Sequence, residues 1–447
     1  MHFSLNGIIA TGFVLSVMVF IHELGHFIVA KACHVKVDVF SLGFGRRLFG
    51  FTHGGTDYRV SLLPLGGYVK MAGEIPGEET SGAVDEFGEH PRWQRILIAL
   101  AGPAANFLLA IALLTGVYLF HNEVEQYLAQ PVVLDYVANN SIAAQAGFKT
   151  GDRITRVADK QNPDWEDFVV EAALGADHKV ATTVQRNGQS LALTFIPDTN
   201  ALWDDGFVPI TGEGPLKIDA IEEDMPAAKA GLKPGDEIIA ANAQPIHSIF
   251  SFVAYLQDHN QAPLQLIVKR GAQTLNLAMQ PVLSSDAVGG SRYRIGIRPV
   301  PPPVVIEKQS LPAAVEHSIQ QNIKNSGLIF EVIHRMFTFR MSVKQVDGPI
   351  GIMRETSLAV QEPGWTPLVM LMSVISLNLG IFNLLPFPIL DGGTILMLLV
   401  EGILRRDLNP QFKERVFQAA FVVLMLFAVL VIFNDITKLS LFAHTKP

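Results

Sequence analysis

His22-Glu-Leu-Gly-His26 sets two imidazoles four residues apart. On a helix that spacing puts them about 40° apart around the axis and one turn apart along it, so one metal ion reaches both. Glu23, beside the first imidazole, stands where a carboxylate takes a proton from an attacking water. The chemistry written by these residue types is metal-assisted hydrolysis with a carboxylate base. In a soluble protein this five-residue pattern often arises by chance. Here it interrupts an apolar stretch: residues 1–21 hold no Asp, Glu, Lys or Arg, and apolar residues resume at 27–30. Ionisable groups inside a hydrophobic helix are costly and default to a functional role.

A catalytic zinc needs a third protein ligand and keeps one position open for water. The candidate is Asp391, the first carboxylate after the uncharged run 363–390, in Asn378-Leu-Gly-Ile-Phe-Asn383-Leu-Leu-Pro386-Phe-Pro388-Ile-Leu-Asp391-Gly-Gly393. Taken alone, Asp391-Gly is a turn signal. Its depth decides otherwise: helices one and three run in the same direction, so His22, His26 and Asp391 all fall toward the same membrane face. The only cysteine, Cys33, leaves no disulfide and no CxxC pair, so a metal here must use His and carboxylate.

These residues have to be held by a membrane. Only 17% of the 447 residues are charged and 49% are hydrophobic, against about 25% charged in a soluble chain, and the mean hydropathy is +0.30. Crossing about 30 Å of hydrocarbon takes about 20 helical residues. Four stretches suffice, and the expected transmembrane helices are 1–32, 93–121, 363–391 and 416–434. No Lys or Arg precedes Lys31, which argues against a cleaved signal peptide. The short loops 33–92 and 392–415 carry the Lys and Arg and read as cytoplasmic. Both termini, including the tail 435–447, and the long segment between helices two and three then lie outside, in the periplasm of a bacterial inner membrane. The net charge of −8 and the pI of 5.9 exclude a nucleic-acid binder.

The exported segment is duplicated. Residues 141–154 recur as 225–238 with eight of fourteen positions identical, among them Gly147/Gly231, Gly151/Gly235 and Asp152/Asp236. Each copy reads as a short Ala-rich helix ended by Gly, then a Gly-Asp turn into an apolar strand, a pattern that resembles PDZ domains of the bacterial protease type. Hairpin signals follow in each copy, at 184–193 and 265–277. The domains are placed at 124–214 and 215–300. PDZ domains bind an extended chain end as an added strand, so a C-terminal peptide is one partner; acting only as a bulky cap is the equal alternative. After Pro301-Pro-Pro303, the segment 301–362 carries a helical pattern at 311–343 that reads as an amphipathic helix on the outer surface, facing membrane lipid, or packed on the PDZ pair. In the cytoplasmic loop, 35–42 and 58–71 alternate like strands around the turn at 52–57, giving a β-hairpin that dips back toward the site. Gly102, Pro103 and Asn106 break the apolar run of helix two and permit close packing.

HELGH in the first helix, NxxPxxxxDG at the third and a tandem PDZ pair between helices two and three together resemble the site-2 protease family over essentially the whole chain. The fold class expected is a four-helix polytopic α-helical membrane protein with a cytoplasmic, membrane-associated β-hairpin and two periplasmic α+β PDZ domains. By that resemblance His22, His26 and Asp391 hold one Zn2+ and Glu23 is the catalytic base. Asn378, Asn383, Pro386 and Pro388 match residues that shape the site and hold the substrate backbone, and the hairpin is an edge for substrate. Gly43 and Gly45 in that hairpin stand as candidate substrate contacts, although turn chemistry explains them equally. The resemblance also implies the substrate: a single-pass membrane protein already shortened outside, such as an RseA-like anti-sigma factor of the envelope stress response, or a signal-peptide remnant. The reading from another class is a non-catalytic PDZ scaffold; a divalent-ion transporter is disfavoured because no inverted repeat is visible.

Overall fold

The computed structural model describes residues 5–74, 81–125, 127–175, 178–197, 206–210, 215–285, 291–300, 304–338 and 348–438. The chain divides into two units, Met1–Asn122 with Glu307–His334 and Val343–Pro447, and Glu123–Ile306 with Arg335–Ser342.

In the first unit, helix α1 (Leu5–Ala32) is followed by strands β1 (Val37–His53) and β2 (Thr56–Met71), then by α2 (Arg92–Phe120). The strands run longer than the sequence pattern indicates and turn at Gly54-Gly55, both at positive φ. They also curl: Tyr58 pairs with both Phe51 and Phe40, and Phe40 pairs in turn with Val69. The result is four short segments side by side, with 67–71 on the outside. The bends at Gly43, Gly45 and Gly66, all at positive φ, break each long strand in two.

In the second unit each repeat has the same order of elements. The first holds α3 (Ile142–Gln145), a strand at Arg153–Val157, α4 (Trp165–Leu174) and a hairpin of Val180–Arg186 with Gln189–Phe195. The second holds α5 (Pro226–Lys229), Glu237–Ala241, α6 (Ile249–His259) and Leu264–Arg270 with Gln273–Met279. Both hairpins fall at the sequence signals. The repeated Gly-Asp acquires a physical reason. Asp152 accepts the Lys149 N–H at 2.9 Å and two bonds at 2.6 Å from Arg186, which also donates to the Gly147 carbonyl. Asp236 does the same with Lys233, Arg270 and Gly231. Each buried carboxylate ties the start of its strand to the hairpin turn 34 residues on, and the Arg270 guanidinium holds Asp236 below the usual carboxylate range. The cores are apolar: Phe148, Trp165, Phe168, Phe195 and Phe207 in the first repeat, and Ile238, Phe252, Leu266 and Val268 in the second. The repeats share surface, since Tyr136 and Val208 pack into the second core and the Tyr136 hydroxyl donates to Asp258 at 2.7 Å.

Five further helices belong after the repeats: α7 (Leu311–Phe337), α8 (Pro349–Gln361), α9 (Thr366–Asn383), α10 (Asp391–Leu404) and α11 (Pro410–Lys438). The expected surface helix over 311–343 ends at Phe337. Residues 339–343 of that expectation lie outside the described ones, as do the Pro301–Pro303 linker, residues 1–4 of the first helix and most of the tail 435–447. The helix α8 was not legible. Among the described residues four helices are long and apolar enough to cross a membrane: α1, α2, α9 and α11.

The third span corrects the sequence reading. Residues 363–391 are not one helix, because α9 stops at Asn383 and a new helix begins at Asp391 and runs to Leu404, into what read as the loop 392–415. Pro386 and Pro388 explain the break, since proline removes an N–H and disfavours the helical conformation of the residue before it. Gly392 and Gly393 explain the restart: a Cβ on either would lie 2.2 Å from the Leu384 carbonyl or 2.1 Å from that of Phe387. The unwound segment is thus folded tightly against the first turn of α10. At 18 residues α9 is about 27 Å long, near the lower limit for a span. Two serines of α9 join it to α2: Ser376 Oγ donates to the Asn106 carbonyl at 2.9 Å and Ser373 Oγ to that of Ala110 at 3.0 Å. By contrast α11 leaves Phe421, Val422, Leu426 and Phe433 exposed, a side-chain set suited to lipid.

Candidate metal centre

The expected ligands meet. His22 and His26 are buried on the face of α1 that packs on α2, and Asp391 opens α10. Their ligand atoms all lie within 4.8 Å of one another. The two Nε2 atoms are 3.1 Å apart, His22 Nε2 is 3.1 Å from Asp391 Oδ2, and His26 Nε2 is 3.5 Å from Oδ1. Ligands about 2.0–2.1 Å from a tetrahedral zinc stand about 3.3 Å from each other, so these three edges fit one such ion. The hydrogen-bond chemistry agrees. His26 Nδ1 lies 2.7 Å from the Ile98 carbonyl. A carbonyl only accepts, so Nδ1 carries the proton and Nε2 presents its lone pair toward Asp391.

The donors open on a cavity of about 340 Å³ whose lining includes Glu23, Val69, Asn383 and Leu390. Glu23 Oε2 accepts the Val69 N–H at 2.9 Å, which fixes the carboxylate between the candidate metal donors and the outer segment of the hairpin. Irregular backbone at membrane depth is tolerated where it lines such a cavity, and Ile389, Leu390 and Asp391 do so.

Not every expected contact arrives. Asn383 lines the cavity, whereas Asn378 is half-buried on α9 and does not. Pro386 is exposed and Pro388 half-buried; neither lines the cavity, and their visible effect is to end α9 and deliver Asp391. Gly43 and Gly45 sit at the bend of the hairpin, also away from the lining. Glu74 and Asn106 are among the polar residues at the site that escaped the sequence reading as functional groups. Glu74 lines the cavity, its Oε2 accepting the Met71 N–H at 3.3 Å. Asn106, assigned above only to packing, reaches His22 Nδ1 with its side-chain amide. The signal for Asn106 was present: a polar amide in an uncharged span, four residues after Gly102 and so on the same helix face.

The model of peptidase family M50 matches residues 10–427. The chain belongs to this family, the site-2 proteases. As an M50 member it is a metalloprotease. Curated relatives extend the match over the whole length. A Vibrio cholerae protein named as a zinc metalloprotease is 30% identical over 450 residues, covering 95% of this chain and 97% of that one. The protease RseP of Yersinia pestis is 31% identical over 454 residues, and the regulator of sigma-E protease RseP of Escherichia coli K12 is 30% identical over 446, each with the same 95% and 97% coverage. The M50 membership and these names support zinc as the cofactor. Among solved structures, the PDZ domain of an SdrC-like protein from Listeria monocytogenes is 21% identical, covering 20% of this chain and 90% of that one, at a TM-score of 0.18.

Proposed function

We propose that this M50 protein is an intramembrane protease of a Gram-negative inner membrane, with one zinc held by His22, His26 and Asp391 and with Glu23 as the base. It hydrolyses a peptide bond in or near the transmembrane segment of single-pass proteins already shortened in the periplasm. An RseA-like anti-sigma factor and signal-peptide remnants are the substrates this reading names. The observation that carries it is the convergence of three metal donors and a strand-anchored carboxylate on one cavity between apolar helices. The Lys and Arg of the short loops support a site toward the cytoplasmic face with both termini outside.

When bound, zinc polarises the scissile carbonyl and acidifies the attacking water. Glu23 takes that water's proton and passes it to the leaving amine. Asn383 offers an amide to the substrate backbone, and the outer segment 67–71 offers a strand edge beside Glu23. These groups matter because a transmembrane helix buries its carbonyls in its own bonds, and lipid replaces none of them when the helix unwinds. Substrates with Gly, Pro, Asn or Ser in the membrane segment are therefore expected to be cut faster than an all-Leu counterpart in a proteoliposome assay. Equal rates would contradict the strand-like binding mode.

The two repeats, read as PDZ domains, are inserted into the membrane unit by both ends. This supports a size filter that admits shortened substrates and excludes full-length ones. Removing residues 124–300 is expected to let an intact single-pass substrate be cut; continued rejection by a variant that still cuts the shortened substrate would refute the filter.

A further inference from the structure

We infer that Asn106 is a positioning residue for the metal, selecting the tautomer in which His22 offers its Nε2 lone pair. His22 presents two nitrogens to two different elements. Nε2 faces His26 and Asp391, at 3.1 Å from each. Nδ1 faces α2, where Asn106 Nδ2 lies 3.1 Å away. A neutral imidazole that ligates through Nε2 must carry its proton on Nδ1, and that proton needs an acceptor. His26 finds one in the Ile98 main chain. For His22 the group that faces Nδ1 is the Asn106 side chain, whose Oδ1 supplies the acceptor.

The amide is built for this. Asn106 is fully buried, its main-chain carbonyl is held by Ser376 Oγ, and its Oδ1 is buried with no hydrogen-bond partner. A half-turn of the amide about its last torsion exchanges Oδ1 with Nδ2. Oδ1 then accepts the Nδ1 proton of His22, and Nδ2 takes the buried position that Oδ1 held. The two amide orientations match the two tautomers: Nδ2 toward a bare Nδ1, or Oδ1 toward a protonated one. Metal held at Nε2 selects the second. Both histidines are thus oriented from α2, one by its backbone and one by a side chain, and only the second can be removed by substitution.

This inference rests on His22 being a ligand, and the test separates the two. Zinc affinity is measured by chelator competition for the full-length wild type, Asn106→Leu and Asn106→Asp in detergent. Leu keeps the branching at Cγ without a lone pair and is expected to weaken zinc about 10- to 100-fold. Asp keeps an acceptor and is expected to hold zinc near the wild-type level. A wild type that binds zinc together with an Asn106→Leu protein of equal affinity overturns the role of Asn106 alone, as does an Asp variant that loses zinc as fully as Leu. A wild type without zinc overturns the ligand reading beneath it. Nitrogen-15 spectra of histidine-labelled, zinc-loaded wild type give a readout independent of how the variants fold: His22 is expected to show a protonated Nδ1, and coordination through Nδ1 overturns the inference.

Discussion

Glu23→Gln is expected to lower the rate of peptide hydrolysis per bound zinc by about 10²- to 10⁴-fold, the usual contribution of a positioned general base. The substitution is suited to the question because it changes little else. Glu23 Oε2 accepts the Val69 N–H, and a glutamine carbonyl oxygen accepts the same bond, so the outer hairpin segment keeps its anchor on α1. His22, His26 and Asp391 are untouched, and zinc is expected to stay. What is lost is the capacity to take a proton from water. The check is a single-turnover rate on a shortened single-pass substrate, normalised to metal content. A rate within about fivefold of the wild type would remove Glu23 from the role of base.

Gly102→Ala is expected to empty the centre. A Cβ at this position would lie 2.2 Å from His26 Nε2, the atom aimed at Asp391, and 2.8 Å from His22 Cε1. No side-chain carbon approaches a nitrogen so closely, so the His26 ring must turn away. Its Nδ1 bond to the Ile98 carbonyl resists that turn. Helix propensity points the other way, since Ala is favoured over Gly inside a helix by about 1 kcal/mol. Lost zinc in a folded protein therefore reports the close approach of α2 to the ligands and not a damaged helix. Metal analysis and cleavage are expected to fall together. A Gly102→Ala protein with a full equivalent of zinc would show that the rings have room the structure does not show.

Much of this centre was legible because a membrane makes polar residues conspicuous. His22, Glu23 and His26 stand out in an uncharged run, and the depth of Asp391 brought it to them. The duplication was legible because 141–154 and 225–238 keep the same Gly-Asp; the reason became visible only when Arg186 and Arg270, distant in sequence, were found on those carboxylates. Hydropathy could not show that 363–391 is a broken helix, since the unwound Leu384–Leu390 is as apolar as the helix before it. The prolines mark the break; the resemblance gives them the role of shaping the site and holding the substrate backbone, and in the structure they lie in the unwound segment between α9 and α10. Gly43 and Gly45 show the same limit: a glycine marks an unusual backbone, and only the coordinates tell whether a bend or a ligand demands it. Asn106 needed the third dimension, because the partner of its amide lies 84 residues away on another helix.

The central claim is that His22, His26 and Asp391 form one zinc site, and metal content tests it most directly. Elemental analysis of the wild type, Glu23→Gln and Asp391→Ala, purified in detergent under one protocol, is expected to give about one zinc per chain for the first two. The third is expected to hold almost none and to cut no substrate. A wild type without zinc, or an Asp391→Ala protein that keeps its zinc and its activity, would contradict the account.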